Sequence, residues 1–247
     1  MQVKSAKFSS DMANELAEKI HHSEPGVTFD VQKLPDGIKK FTTRVTTPKA
    51  ARKFGKPLGI YCNIESEKSI TENASKISKV LLECLVEFLG DSKKGPLLVV
   101  GLGNNRFVAD SFGPKVCELL RTGAGVAAFA PGVAGVTGIK STTAIKAITD
   151  AIHPSHVIIL DTLCCDDRAR LGRSFQISNT GIQPGSGITH ENARLDAEFL
   201  GVPVVAAGVP LVVHVPELHY VVPKHIDAVV AQCSKIFADA INLLGKK

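Results

Sequence analysis

The chain has 247 residues, 44% of them apolar and 21% charged, an ordinary globular composition long enough for one sizeable core. Trp is absent and aromatics reach only 5%, so the core rests on Val, Ile, Leu and Ala, which suits buried parallel strands under helices. No apolar run reaches the roughly 18 residues needed to cross a bilayer, and Met1-Gln2-Val3-Lys4-Ser5 lacks a secretory signal's apolar segment, so a cytoplasmic protein without membrane contact is expected.

Residues 1–25 read as a polar leader with a short helix over 11–20. Val27–Val31 and Phe41–Val45 alternate as strands around the turn Leu34-Pro35-Asp36-Gly37, giving an N-terminal β-hairpin region. Between Lys33 and Lys56 lie eight basic residues against one acid, Asp36. That stripe is read first as a solvated strand face, the other reading being a surface for an acidic partner; direct nucleic-acid binding is not expected. Leu58–Ile64 is a further strand. Ser69 followed by Glu72 is a capping box, and Ile77, Val80, Leu81, Cys84, Leu85 and Phe88 behind it share one helical stripe.

From residue 97 onward strand and helix alternate. Strands are expected at 97–102, 126–130, 156–161, 174–178 and 202–207, with helices over 114–120, 141–152 and 224–244. The pattern predicts one α/β domain over 1–247: a mostly parallel twisted sheet flanked by helices on both faces, of the phosphorylase/hydrolase-like kind. The six cysteines form no CxxC pair and sit mostly among apolar neighbours, as reduced core thiols do.

Chemistry is expected at the carboxyl-terminal edge of that sheet, where open α/β sheets place their sites. Leu98-Val99-Val100-Gly101-Leu102-Gly103-Asn104 leads to Asp110, and Val157-Ile158-Ile159-Leu160 leads directly to Asp161. Two facing carboxyls cannot both ionise, so one keeps a proton while the other acts as base. The base would activate water and the protonated partner would donate to a scissile carbonyl. The structural alternative makes each acid a helix cap. Gly-rich loops at 131–138, 179–187 and 208–210 join the 101–106 loop on the same expected edge, as backbone donors for an extended peptide or an oxyanion. Gly101-Leu102-Gly103-Asn104-Asn105-Arg106 departs from a dinucleotide fingerprint by carrying Arg106 where the third Gly belongs, and neither a cofactor nor a metal site is expected. His153 and His156 read as surface residues; His190 and His214 lie near the edge loops without ligand spacing.

Taken together these segments resemble the germination protease family, aspartic-type endopeptidases of spore-forming bacteria. The resemblance is carried by Gly55–Tyr61, Gly101–Asn104 through Asp110, Gly113-Pro114, Pro131-Gly132-Val133 and Thr137-Gly138-Ile139. Further matches are Ile159–Leu163, Gln176–Ile182 with Pro184-Gly185-Ser186-Gly187, Leu200–Val204, Gly208-Val209-Pro210 and Val222–Asp227. It implies a zymogen that loses a short N-terminal segment and assembles as a homo-oligomer, a tetramer in that family. The implied substrates are small acid-soluble spore proteins, and the implied compartment is the spore core. The family's catalytic aspartates fall on Asp110 and Asp161, with Gly103, Asn104, Gly132, Thr180 and Ser186 lining the groove.

Val136 and Lys140 stand where the family pattern has Gln and Glu, and His214 where it has Asp; segments after Leu120 and Val213 look trimmed. Two alternatives remain open on sequence grounds. One is a metal-dependent endopeptidase of the hydrogenase-maturation kind, using the same acids with His214 or His190. The other is a non-catalytic peptide-binding homologue.

Overall fold

The computed structural model describes residues 10–90, 95–123, 125–182, 194–215 and 219–244. Helix α1 (Ala13–Ile20) buries Ala13, Leu16 and Ala17. Strands β1 (Val27–Leu34) and β2 (Ile38–Val45) pair from Val27↔Val45 to Leu34↔Ile38. Their turn places Asp36 at φ 64° and Gly37 at φ 72°, the left-handed conformations for which Asp-Gly is suited. Nothing in the apolar spacing signals α2 (Pro48–Phe54), which starts on local chemistry: Pro48 opens it, and the Thr47 hydroxyl accepts from the Ala50 N–H at 3.1 Å.

β3 (Gly59–Ser66) leads to α3 (Ile70–Leu89), capped by the Ser69 hydroxyl. The alternating part follows: β4 (Leu97–Gly101), α4 (Phe112–Leu119), β5 (Val126–Phe129), α5 (Ala134–Thr137), α6 (Ser141–Ile152) and β6 (His156–Cys165). The chain closes with β7 (Ser174–Ser178), α7 (Ala197–Leu200), β8 (Val204–Val215), β9 (His219–Val221) and α8 (Ile226–Leu244).

Among the described residues the strands form one sheet in the order β1-β2-β3-β7-β8-β6-β4-β5, with β9 also on β8. The α/β architecture and the N-terminal hairpin are as expected, but "mostly parallel" needs correcting. Parallel pairing is confined to β8-β6-β4-β5; β1, β2, β3 and β7 extend the sheet antiparallel from β8, and β9 also pairs antiparallel. The parallel pairs β4–β5, β4–β6 and β6–β8 are each joined by a long connection that carries at least one helix, as parallel neighbours require.

Two local expectations change as well. β6 does not stop at Asp161 but runs on to Cys165, and Gly208-Val209-Pro210 is not a loop but the middle of β8. Pro210 fits a central strand because the register slips beside it, Leu163 pairing with Pro210 and Cys164 with Val212. Such a bulge is where a residue without an N–H can sit.

Alternation along the strands divides the core. Val99, Ile158, Leu160, Val205 and Ala207 face α3, α4 and α8. Leu98, Val100, Val157, Ile159 and Val204 face α6 and α7, and α1 and α2 cover the N-terminal strands on that second side. His156, expected at the surface, is buried at the start of β6.

Helix α1 is fastened by charge as well as apolar contact. Arg170, 11% exposed, reaches Glu18 at 2.6 Å, Glu65 at 2.8 Å and the buried Glu15 at 3.6 Å. Glu15 also accepts from the backbone N–H groups of Asp166 and Asp167 at 2.8 and 3.0 Å. Removing one partner of a buried ion pair costs about 3 kcal/mol or more, because the other charge stays unmatched. Arg170→Met should therefore lower the urea midpoint, with amide exchange accelerating first in α1; an unchanged midpoint would mean that α1 is held by apolar contact alone.

Candidate active site

The two acids are placed by neighbouring strands of the parallel half, Asp161 within β6 and Asp110 in the loop that follows β4. β4 pairs with β6 up to Gly101↔Leu160, and the Leu102 N–H continues the ladder to the Leu160 carbonyl at 2.8 Å. β4 then stops while β6 continues into Asp161. The loop beyond β4 turns back through two bonds, Phe107 N–H to Asn104 O at 3.0 Å and Asp110 N–H to Phe107 O at 2.9 Å. It is tied to β6 by the Thr162 hydroxyl, which donates to the Ala109 carbonyl at 3.0 Å. The residues just before Asp110 and just after Asp161 are thus joined directly.

Close approach of backbone fixes the loop. Gly103 has φ 121°, and a Cβ there would stand 1.9 Å from the Asp110 carbonyl oxygen, which the Asn104 N–H meets at 2.9 Å. A Cβ on Gly113 would stand 2.4 Å from the Leu102 carbonyl oxygen. Only glycine permits these contacts. The start of α4 is therefore pressed against the end of β4, with Asp110 between. Asp110 does not cap α4, and Asp161 lies in a strand, so neither acid plays the helix-cap role that was the structural alternative.

Both carboxyls are half-buried, and among the described residues neither has a cation within ion-pair distance. Burial pushes Asp110 up to about 6, the Asn104 backbone N–H pulling the other way. Asp161 is raised well above the usual carboxylate range, first by burial and then by the negative charges of Asp110 and Asp11; the Thr162 N–H, 2.9 Å from its carboxylate, opposes this. The environments of the two groups differ, since the neighbouring carboxylates add to burial at Asp161 whereas burial acts at Asp110 against the Asn104 N–H.

Asp11 and Gln176 escaped the sequence reading. The Asp11 N–H donates to the Cys164 carbonyl at 2.8 Å and its carboxylate accepts from the Cys164 N–H at 2.9 Å. Gln176 accepts from the Ala13 N–H at 2.7 Å and donates to the Asp11 carbonyl at 3.1 Å. Register places Asn63, Gln176, Gly208 and Asp161 in one row across β3, β7, β8 and β6. The N-terminal segment thus crosses the sheet on the Asp161 face. Lys56 stands near Asp11 and is lowered by burial, which outweighs the attraction of that carboxylate. A polar side chain in the apolar alternation of β7 was the available signal for Gln176; Asp11 offered none.

Of the five expected groove residues, Gly103 and Asn104 lie in the Asp110 loop. The Asn104 carboxamide oxygen is engaged in its own turn, accepting from the Arg106 N–H at 3.0 Å. Gly132 follows β5 on the far side of β4, its carbonyl accepting from the Ser141 hydroxyl at 2.8 Å. Thr180 corrects the expectation of one shared edge. β7 runs against β8, so its carboxyl end lies near Val204, at the amino edge of the parallel strands. At about 3.3 Å per residue this puts Thr180 roughly 13 Å along the sheet from the Asp161 row. There it is buried and lines a groove of about 540 Å³ with Pro57, Leu58, Asn179 and Arg194. Ser186 and His190 lie outside the described residues.

The basic stripe is met by acids from outside it. Lys39 pairs with Glu67 at 2.7 Å, Lys40 with Glu87 at 3.9 Å, Arg44 with Asp30 at 3.2 Å, and Lys53 with the buried Glu24. Among the described residues no three His, Cys, Asp or Glu side chains form a metal-holding group.

A model of the germination protease family matches residues 3–219. The germination protease of Caldanaerobacter subterraneus subsp. tengcongensis is 35% identical over 223 residues, covering 83% of this chain and 68% of that protein. That of Clostridium perfringens is 34% identical, covering 76% of this chain and 63% of its own length, and that of Bacillus subtilis is 35% identical, covering 83% and 62%. The chain thus spans about two thirds of the length of the curated relatives it matches. Among solved structures, a [NiFe] hydrogenase maturation protease from Thermococcus kodakarensis is 18% identical with a TM-score of 0.44, covering 66% of this chain and 98% of that one.

Two outcomes test the geometry. Asp110 binds its proton more tightly folded than unfolded, so its contribution to stability is full below its unfolded value near 3.8 and is lost as pH rises through about 6. Asp110→Asn should therefore gain stability relative to the parent between pH 4 and pH 7, in thermal melts at each pH; parallel curves would refute the raised carboxyl. Gly103→Ala should displace Asp110 and remove that pH dependence.

Proposed function

The chain belongs to the germination protease family, a family of peptidases, and on that premise we propose that it is an endopeptidase in which Asp110 and Asp161 form the acid/base pair. The observation that carries this reading is the approach of two half-buried carboxyls, one within β6 and one in the loop after the adjacent β4, without a cation among the described residues and with both held above the usual carboxylate range. Asp110, ionised above about 6, takes a proton from the attacking water. Asp161, whose raised proton affinity favours the neutral acid, donates to the carbonyl oxygen of the scissile bond. Collapse of the tetrahedral adduct breaks the C–N bond, the amine leaving with the proton from Asp110 while an adduct hydroxyl returns its proton to Asp161 as the carbonyl re-forms. Gly103 and Asn104 supply backbone beside Asp110, and Gly132, Thr180 and Ser186 would contact more distant parts of the substrate.

The proposed substrates are small acid-soluble spore proteins, as for the family, with a homo-oligomer in the spore core as the working form. A removable leader is also part of this reading. Helix α1 fills a core cluster, which supports a removable portion ending before Ala13 rather than at residue 25, and Met12 is extended and packs with Leu163 and Cys165 of β6.

Incubation with purified small acid-soluble spore proteins, followed by mass spectrometry of the fragments and of the protein's own N-terminus, tests the proposal. Discrete internal cleavage is expected, falling roughly 100- to 10,000-fold in Asp110→Asn and Asp161→Asn. The rate should decline below pH 6 as Asp110 is protonated and again at high pH as Asp161 ionises. Undiminished cleavage by either variant would refute the roles assigned. Cleavage lost on chelation and restored by a transition metal would point instead to the metal-dependent alternative.

A further inference from the structure

Apolar side chains stand at the rim of the acid site, where contact with water favours polar ones. Among the described residues the two most exposed large apolar side chains are Phe107, at 58%, and Ile139, at 55%. Phe107 lies in the loop after β4 and Ile139 in the loop after β5. The two strands run parallel and pair up to Val100↔Phe129, so both loops leave the same edge of the sheet side by side, with Asp110 on the first. A single exposed apolar residue is ordinary. Both of these at one corner, next to a pair of half-buried carboxyls, mark a contact surface.

Each side chain is held out by local hydrogen bonding. The Phe107 carbonyl accepts from the Asp110 N–H at 2.9 Å, and the Phe107 N–H donates to the Asn104 carbonyl at 3.0 Å. In so tight a turn, rising about 2 Å per residue, Phe107 and Asp110 are roughly 6 Å apart. An extended peptide covers that span in about two residues at 3.3 Å each. The β5 loop turns its polar groups inward. The Thr137 hydroxyl accepts from the Ile139 N–H at 3.2 Å and lies 3.2 Å from the Val133 carbonyl. The Val136 and Gly138 N–H groups meet the Val133 and Ala134 carbonyls at 2.9 and 2.8 Å, and the Ser141 hydroxyl closes the loop on the Gly132 carbonyl at 2.8 Å. With those groups engaged, what the loop presents to water is Ile139 together with Val136, which is 44% exposed.

We propose that Phe107, Val136 and Ile139 are specificity-determining residues that receive an apolar side chain of the peptide substrate, within about two residues of the scissile bond. The inference rests on the reading of Asp110 and Asp161 as the proteolytic pair. A peptide laid over Asp110 runs beside both loops. An apolar side chain there is flanked by the Phe107 ring on one loop and by Val136 and Ile139 on the other, and contact removes all of them from water. A Ser or a charged residue at the same place gains no such burial and leaves the loop side chains wet. One side chain near the bond thus sorts substrates before the acids act.

Cleavage of a mixture of random short peptides by the full chain, read by mass spectrometry, should show Leu, Ile or Phe enriched at one position within about two residues of the cut. In a peptide taken from that set, changing the apolar residue to Ser should raise KM about tenfold, with a smaller change in kcat. Phe107→Ser, or Val136→Ser with Ile139→Ser, should abolish the difference between the two peptides. Leu119→Ser, which removes an exposed apolar side chain from the far end of α4, should leave it intact. If no peptide is cleaved, the role given to the acids fails by itself. Fluorescence anisotropy of labelled Leu and Ser peptides then decides the surface separately, tighter binding of the Leu peptide that is lost in the loop variants supporting it. Equal cleavage or equal binding of the two peptides by the parent chain would overturn the proposal. So would loop variants that keep the preference but dissociate an oligomer in sedimentation, which would assign these side chains to a contact between copies of the chain.

Discussion

Two carboxyl groups share a poorly hydrated corner because one strand ends where its neighbour continues. β4 stops at Gly101 while β6 carries on through Asp161. The loop leaving β4 must therefore fold back over the continuing strand, and the Thr162–Ala109 hydrogen bond holds it there. Gly103 and Gly113 let backbone meet backbone at distances no side chain allows. Once that contact is made, burial and mutual repulsion decide the rest. Both carboxyls are raised, Asp110 to about 6 by burial, and Asp161 by burial and by the charges of Asp110 and Asp11.

Such a corner costs stability, since at neutral pH at least one carboxylate is ionised out of water. Large apolar clusters on both faces of the sheet offset it. Polar side chains then position what apolar packing cannot. Gln176 reads the backbone of the N-terminal segment, and Arg170 holds three glutamates that fix α1. Both lie between elements more than a hundred residues apart in sequence, so neither interaction has a local spacing by which to recognise it.

Much of the architecture was legible because it depends on local pattern. The hairpin turn at Asp36-Gly37, the stripe of α3 and the alternation of β6 each follow from periodicity or from a turn residue. The acids were legible for the same reason: each sits just past an apolar strand sequence. Misreadings came where partner strands decide. Thr180 follows a strand like any other, but β7 runs antiparallel to β8, which sends its end to the other edge. Gly208-Val209-Pro210 has turn composition, but β6 and a bulge absorb it into a strand. The basic stripe looked unbalanced because its countercharges, Glu24, Glu67 and Glu87, lie outside it.

By itself the sequence determined the element types, the α/β class, the family likeness and the two aspartates. Those are carried by residue spacing within ten or twenty positions, a scale on which backbone geometry is nearly fixed. Tertiary structure alone decided strand direction, the raised proton affinities of Asp110 and Asp161, and the path of Asp11 across β6. Each of these depends on which distant segments exclude water from one another, and that is settled only when the whole sheet has closed around its two cores.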